Sequence, residues 1–320
     1  MTIGAAQVLA AHHVLVPTDN PFQRRARLLQ ALWREEQNLS IGEHRGRPLG
    51  SRIAMPRAKD DLSNYLTDTI RAVVRYEVLE SEDRTGKLFG QPRIWNDLLS
   101  SQPLCFNLFA ELQKDLPLAS RALRRLTRGR VDRVTDIAFE HSPGRSDTRY
   151  TGDRSAFDVF VTFLNAAGDR GFAGIEVKYH EGLGDKPADI RERYDQVAGD
   201  MGCFDQASME RLRRKPLQQI WRDHLLAGSL LLARDRQFAT GFFAFLYPSD
   251  NDRCARAVEA YGACLRDTTS FVPWTLEAVV DAVRAEGGGA WIETAARRYL
   301  HFEKVDTLLG PLSDRRASAS

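Results

Sequence analysis

Two short runs, one directly after the other, constrain this chain more than anything else in it. Phe157 to Phe163 alternates without a break, with Phe157, Val159, Val161 and Phe163 on one side and Asp158, Phe160 and Thr162 on the other. After the loop Asn165 to Gly171 comes a second run, Phe172 to Lys178. There Ile175, Val177 and Tyr179 point one way and Glu176, Lys178 and His180 the other. A loop this short fits a β-hairpin crossing. An acid inside a strand is disfavoured by propensity and costly if buried without a partner. Asp158 on one strand and Glu176 on the next, eighteen positions later, therefore point to a shared cation.

The surroundings read as an α/β fold. Val131 to Phe139 alternates in a broken way and predicts a strand before the pair, followed by a turn-rich loop from His141 to Asp153. Pro216 to Arg234 has apolar positions at helical spacing, and Thr240 to Tyr247 is apolar without alternation, as in a strand covered on both faces. Helices are expected near Asp252 to Leu265, Trp274 to Ala285 and Ile292 to Leu308. The first part of the chain reads as helical: Pro21 to Leu39, Asp60 to Leu79, Trp95 to Leu116 and Leu118 to Leu126, the last two divided by Pro117. The expected organisation is a helical N-terminal region over 1–126, an α/β core with C-terminal helices over 127–312 and a disordered tail over 313–320. The core order is helix, three-strand meander, helix, strand.

Composition narrows the class. The chain has 320 residues, 43% apolar and 28% charged, which is ordinary for a globular protein and enough for a sizeable core. No apolar run approaches the ~20 residues of a membrane span, so no membrane association is expected. Met1 to Pro17 lacks a basic start and a cleavage-like end, so a cytoplasmic location is expected. Cys105, Cys203, Cys254 and Cys264 show no paired spacing, which argues against a zinc site and for reduced thiols. Net charge is only +2, but arginines cluster at Arg24 to Arg27, at Arg121 to Arg133 and at Arg211 to Lys215. The guanidinium fork binds phosphate bidentately, so Arg121, Arg124, Arg125, Arg128 and Arg130 are candidate nucleic-acid contacts. A solvated helix face is the plainer reading of each cluster.

Asp158, Glu176 and Lys178 suit phosphodiester cleavage. Two carboxylates form a hard oxygen site that fits Mg²⁺, with Mn²⁺ as a substitute. Such an ion lowers the pKa of bound water and stabilises charge on the phosphorus, and Lys178 would orient that water or offset the growing negative charge.

At these residues the sequence resembles the PD-(D/E)XK nuclease superfamily, whose pattern is an acid on the second core strand and (D/E)-x-K on the third. It is matched by Ser155-Ala156-Phe157-Asp158-Val159 and Gly174-Ile175-Glu176-Val177-Lys178. The order of elements from about Val131 to Tyr247 also resembles the family core. The runs Phe139 to Arg145 and Glu176 to Glu181 are similar to a bacterial restriction-endonuclease-like branch. No proline precedes the first acid; Phe157 stands there. The resemblance implies a DNA endonuclease of restriction, defence or repair type, acting on DNA and often as a homodimer. It also implies auxiliary roles for Gln219, which opens the helix after the catalytic strands, and for Glu111 on an upstream helix. Glu140, closing the first core strand, is a further candidate metal ligand.

Two plainer readings of the chain stand beside this one, with plainer readings of several residues. The chain could be a catalytically inactive nucleic-acid-binding or assembly protein on the same fold, or another α/β fold in which the three charges are structural. His180 and His224 read as packed or surface histidines, and His12-His13 lacks a metal-ligand partner. Gly287 to Gly289 reads as a linker between helices, because no Lys-Ser or Lys-Thr follows it.

Overall fold

The computed structural model describes residues 3–81, 86–184, 187–235 and 237–310, so the tail 313–320 lies outside the described residues. The two alternating runs form neighbouring strands at the middle of a five-stranded sheet. Its order is β3 (Arg133–His141), β4 (Phe157–Leu164), β5 (Arg170–Val177), β6 (Thr240–Tyr247) and β7 (Phe271–Thr275). A separate hairpin, β1 (Ile41–His44) with β2 (Arg47–Ile53), precedes it. β3, β4 and β5 are an antiparallel meander; β6 and β7 run parallel to β5. Asn165 closes the β4–β5 turn by accepting the amides of Ala167 (3.0 Å) and Asp169 (2.9 Å), with Gly168 at φ +86°. A residue with a side chain would be strained there.

Both faces of the sheet are covered. Val159, Val161, Phe163, Ala173, Ile175 and Val177 share one apolar cluster with the helices Pro21–Glu36, Ser101–Lys114, Leu116–Leu126 and Leu276–Ala285. Phe160, Phe172, Phe243 and Phe245 lie in a second cluster with Glu192–Met201, Gln218–Leu232 and Asp252–Gly262. β6, between two strands and two helical layers, is buried along nearly its whole length, as its unalternating apolar run predicts. The Ser101–Lys114 helix lies against β3, β4 and β5, and the first cluster runs from Leu9 to Val305. Packing is thus continuous across residue 126.

Several elements differ from the sequence expectation. The β1–β2 hairpin occupies part of the region expected to be helical. Its two-residue turn, Arg45-Gly46, has φ of +53° and +73°, which suits the twist of a tight hairpin. Arginine-rich flanks without apolar alternation hid it. The Glu192–Met201 helix falls in a polar stretch with no predicted element. The helix expected from Trp274 starts at Leu276, where Thr275 caps it by accepting the Ala278 amide, and the residues before it form β7. The final helix is two, Gly289–Tyr299 and Glu303–Leu309. Pro117 sits in the first turn of Leu116–Leu126, where a missing N–H costs nothing. All four cysteines are buried free thiols, and no helix among the described residues is long and apolar enough to cross a membrane.

Candidate metal centre

β4 and β5 separate at the end that carries the acids. Their ladder stops at Val159–Ile175, one step before the register would set Asp158 opposite Glu176. Asp158 Oδ2 instead accepts the backbone N–H of Val177 at 2.8 Å, standing in for a ladder carbonyl. On the adjoining strand Glu140 has φ +49°, which turns His141 onto the Phe160 ring with centroids 4.2 Å apart. Phe157 also stacks with Phe160, at 5.7 Å, and covers Gly174, where a Cβ would collide with its ring. Strict alternation predicts Phe157 on the Val159 face, so this is a correction. The pleat breaks at the strand end, and Asp158 is aimed by the Val177 amide, not by a period of two.

Glu176 gathers the remaining groups. Its Oε1 accepts Lys178 Nζ at 2.6 Å and Gln219 Nε2 at 2.7 Å. The period of two sets Glu176 and Lys178 side by side, and Lys178 N–H continues toward β6 by donating to Leu246 O at 2.8 Å. Gln219 comes from the first turn of the Gln218–Leu232 helix. Burial, then the nearby Glu176 charge, hold the Asp158 carboxyl well above its ordinary value. Burial works to discharge Lys178, but Glu176 and Asp158 outweigh it and keep the ammonium charged.

The other candidates are placed as follows. Glu140 pairs with Arg145 at 2.8 Å and lines a small cavity with Asp158, Gln102 and Cys105. Burial raises its carboxyl, against the pull of Arg145. Glu111 is engaged elsewhere, accepting the hydroxyl of Thr67, which itself caps the Asp68–Arg75 helix. The arginine run stands at the opposite end of the sheet. Arg130 donates to Gly241 O (2.7 Å) and Thr269 O (2.6 Å) and lies 4.4 Å from the Phe242 ring centroid, beside the start of β6. Glu176 neighbours the far end of β6, at Phe245. Arg133 to Glu140 along β3 measures roughly 24 Å, so the strand leads away from the run before it reaches the acids. Arg124 pairs with Asp132 (2.7 Å); Arg121 and Arg125 pair with Glu286 (3.9 and 3.4 Å). Arg128, exposed, takes φ +54° just after the helix. The run and the acids therefore lie at opposite ends of β3.

Several site residues escaped the sequence reading. A cavity of about 300 Å³ opens beside Glu176, lined by Ser155, Lys215, Gln218, Gln219, Arg222 and Asp223 among others. Gln218 clamps its rim, exchanging hydrogen bonds with Ala188 at 2.8 and 2.7 Å. Arg222 reaches Asp153 (2.7 Å) and Ser155 Oγ (2.9 Å), and Tyr194 donates to the same Asp153 oxygen (2.6 Å). Burial pushes the Asp153 carboxyl up, but the bonds from Tyr194, Ser155 and Arg222 win and hold it well below its usual range. Glu181 accepts the amides of Tyr179 (2.9 Å) and Ser101 (3.1 Å), tying the end of β5 to the Ser101–Lys114 helix. His180 meets Leu99 O at 3.1 Å, and His224 lies between the Tyr261 and Ser270 hydroxyls with its pKa pushed down to about 3 by burial. Both histidines are packed. The i, i+4 spacing of Gln219 and Asp223 was the available signal for the cavity wall.

Among the described residues no three His, Cys, Asp or Glu side chains are gathered as a closed metal cage. Glu176 lines the open cavity and Asp158 the small one beside Glu140, and both offer carboxylate oxygens only, without imidazole or thiolate. That donor set fits a hard cation which keeps several waters, such as Mg²⁺, and not Zn²⁺. The model of the PD-(D/E)XK nuclease superfamily matches residues 17–301. No curated protein and no solved structure matches the chain.

Proposed function

The chain belongs to the PD-(D/E)XK nuclease superfamily, and from that premise we propose that it is a metal-dependent endonuclease hydrolysing DNA phosphodiester bonds, in restriction, defence or repair. The observation that carries this reading is the convergence of Lys178 and Gln219 on one oxygen of Glu176, at 2.6 and 2.7 Å, beside a solvent-accessible cavity. A structural salt bridge alone needs neither the glutamine nor the cavity.

Asp158 and Glu176 would hold Mg²⁺ or Mn²⁺, which supplies Lewis acidity toward the phosphate and makes water a better nucleophile. The protein's own groups do the rest. The Val177 amide fixes the Asp158 rotamer, and Gln219 fixes that of Glu176. The Lys178 ammonium sits where it can orient a water and offset the charge that grows on the phosphoryl oxygens. Lys215 at the cavity rim adds positive charge for the DNA backbone.

Supercoiled plasmid and single-stranded DNA, incubated with Mg²⁺ or Mn²⁺, test this. Nicked or linear product with the wild-type chain is expected, and none with Glu176→Gln, Lys178→Ala or chelator. Retardation of DNA without cleavage under every divalent cation would make the chain a binding module.

A further inference from the structure

The β1–β2 hairpin lies outside the proposed cleavage site and has no role so far. Its tip, Glu43 to Pro48, is exposed throughout. Among the described residues Arg45 and Arg47 pair with no acid, whereas Arg52, nearer the base, is held by Asp97 at 3.2 Å. The arginines at the far end of the sheet are paired with acids as well. His44 stands opposite Arg47 and Gly42 opposite Leu49, so His44, Arg47 and Leu49 share one face of the ribbon and Glu43 takes the other. The His44 face lines a cavity of about 270 Å³ with His13 and Leu15, and no carboxylate lines it. His13 enters from the turn after the first helix, Ile3–Ala11, where its carbonyl accepts the Gly50 amide at 2.9 Å. Two imidazoles and a guanidinium on one concave wall, among apolar neighbours, suit a phosphate. Partial burial, then the charges of Arg52 and Arg45, push His44 below its ordinary pKa against the pull of Asp97, so the surroundings are net positive.

The ribbon is firmly mounted. Arg34 donates to Gly50 O at 2.9 Å, and the Leu98 amide donates to Ser51 O at 3.1 Å. The next residue, Leu99, meets His180 through its carbonyl at 3.1 Å, two positions past Lys178. The mount thus joins the hairpin to the end of the sheet that carries the acids. Arg47 is four residues from Ser51, roughly 13 Å along the strand; one turn of a DNA duplex is roughly 34 Å. A two-stranded ribbon also matches the width of the major groove.

We propose that the β1–β2 hairpin is a duplex-DNA contact separate from the cleavage cavity, with Arg45 and Arg47 on backbone phosphates and His13 and His44 walling the phosphate seat beside Arg47. The inference rests on the reading of the chain as a DNA nuclease. Such contacts position a duplex and carry no sequence information, so every duplex gains alike.

Anisotropy of a labelled duplex titrated with the full chain over a range of KCl, in chelator so that no strand is cut, tests this. Plasmid nicking in Mn²⁺ is measured beside it, and its KM over the same salt range is read instead if the chain binds only with metal. Arg45→Ala with Arg47→Ala is expected to flatten the slope of log affinity against log salt by about two units and to weaken binding roughly tenfold per arginine near 0.1 M salt. It should raise KM for nicking and leave kcat in place. Arg45→Lys with Arg47→Lys should keep the slope, and thermal melts verify that each variant is folded. Equal slopes for the wild type and the alanine variant would overturn the proposal, and nicking by both at the same KM would leave the cleavage reading standing. A slope lost with single-stranded DNA but kept with the duplex would overturn it too. A wild-type chain that neither binds nor nicks the duplex would sink both readings.

Discussion

Asp158→Asn separates a metal-binding acid from a structural one. The substitution keeps the side chain's shape and a carbonyl oxygen for the Val177 amide, bonded at 2.8 Å, but removes a charge. Without a cation that charge faces Glu176 across the separating strands. Like charges roughly 5 Å apart repel by about 3 kcal/mol at an effective dielectric of about 20. Lys178, closed on Glu176 at 2.6 Å, attracts Asp158 and cancels around a third of this. The bond to Val177 weakens by about 1 kcal/mol when its acceptor becomes neutral. The balance is a gain of about 1 kcal/mol for the variant, about 2 °C in melting temperature for a chain of this size.

With a cation present the sign reverses. A site filled at a hundredfold excess over Kd stabilises the wild type by about 2.7 kcal/mol, and the variant should show little of this. Calorimetric melts of both proteins, with chelator and with Mn²⁺, read the two effects together, and plasmid nicking should fall at least about a hundredfold. The pH dependence has a definite sign. The folded pKa of Asp158 is raised, so its repulsion is present above that value and relieved as pH falls through it. Wild-type stability without metal should therefore gain relative to the variant on mild acidification. A variant destabilised by more than about 2 kcal/mol without metal, or shifted by Mn²⁺ as much as the wild type, would show that Asp158 is structural.

Gln219→Leu should leave the fold intact but free one oxygen of Glu176, lowering the cleavage rate roughly tenfold to a hundredfold; an unchanged single-turnover rate would remove Gln219 from the site. Arg222→Met strands the buried Asp153 carboxylate and should cost about 3 kcal/mol in urea unfolding at neutral pH. Because the folded pKa of Asp153 is depressed, that stability is present above about pH 4 and lost as pH falls toward the folded value, so variant and wild type should converge in acid. Arg124→Ala with Arg125→Ala should leave the salt dependence of DNA affinity unchanged, since both arginines are paired with acids at the far end of the sheet. A slope flattened by about two units would return them to the DNA interface.

What the chain alone determined is what local periodicity encodes. A period of two over Phe157 to Phe163 and Phe172 to Lys178, with a short loop between, fixes a strand pair, and it sets Glu176 beside Lys178 whatever the rest of the protein does. The 3.6 period of Pro216 to Arg234 and the unbroken apolar run of Thr240 to Tyr247 are equally local, and both elements stand where they were expected. Tertiary structure decided where those rules lapse. Glu140 takes a left-handed conformation and Phe157 packs over Gly174, so the pleat breaks and the direction of Asp158 depends on a hydrogen bond from another strand. The short β1–β2 hairpin and β7 depended on partners and turns that no apolar pattern announced. The arginine run looks the same in sequence whatever it packs beside; only the fold brings Glu286, more than a hundred positions away, next to Arg121 and Arg125. Asp223 and Glu176 come to line one cavity only because a helix packs across the sheet. Direction along a regular strand or helix is a property of the backbone repeat, but the partner a charge finds depends on which distant segment packs beside it.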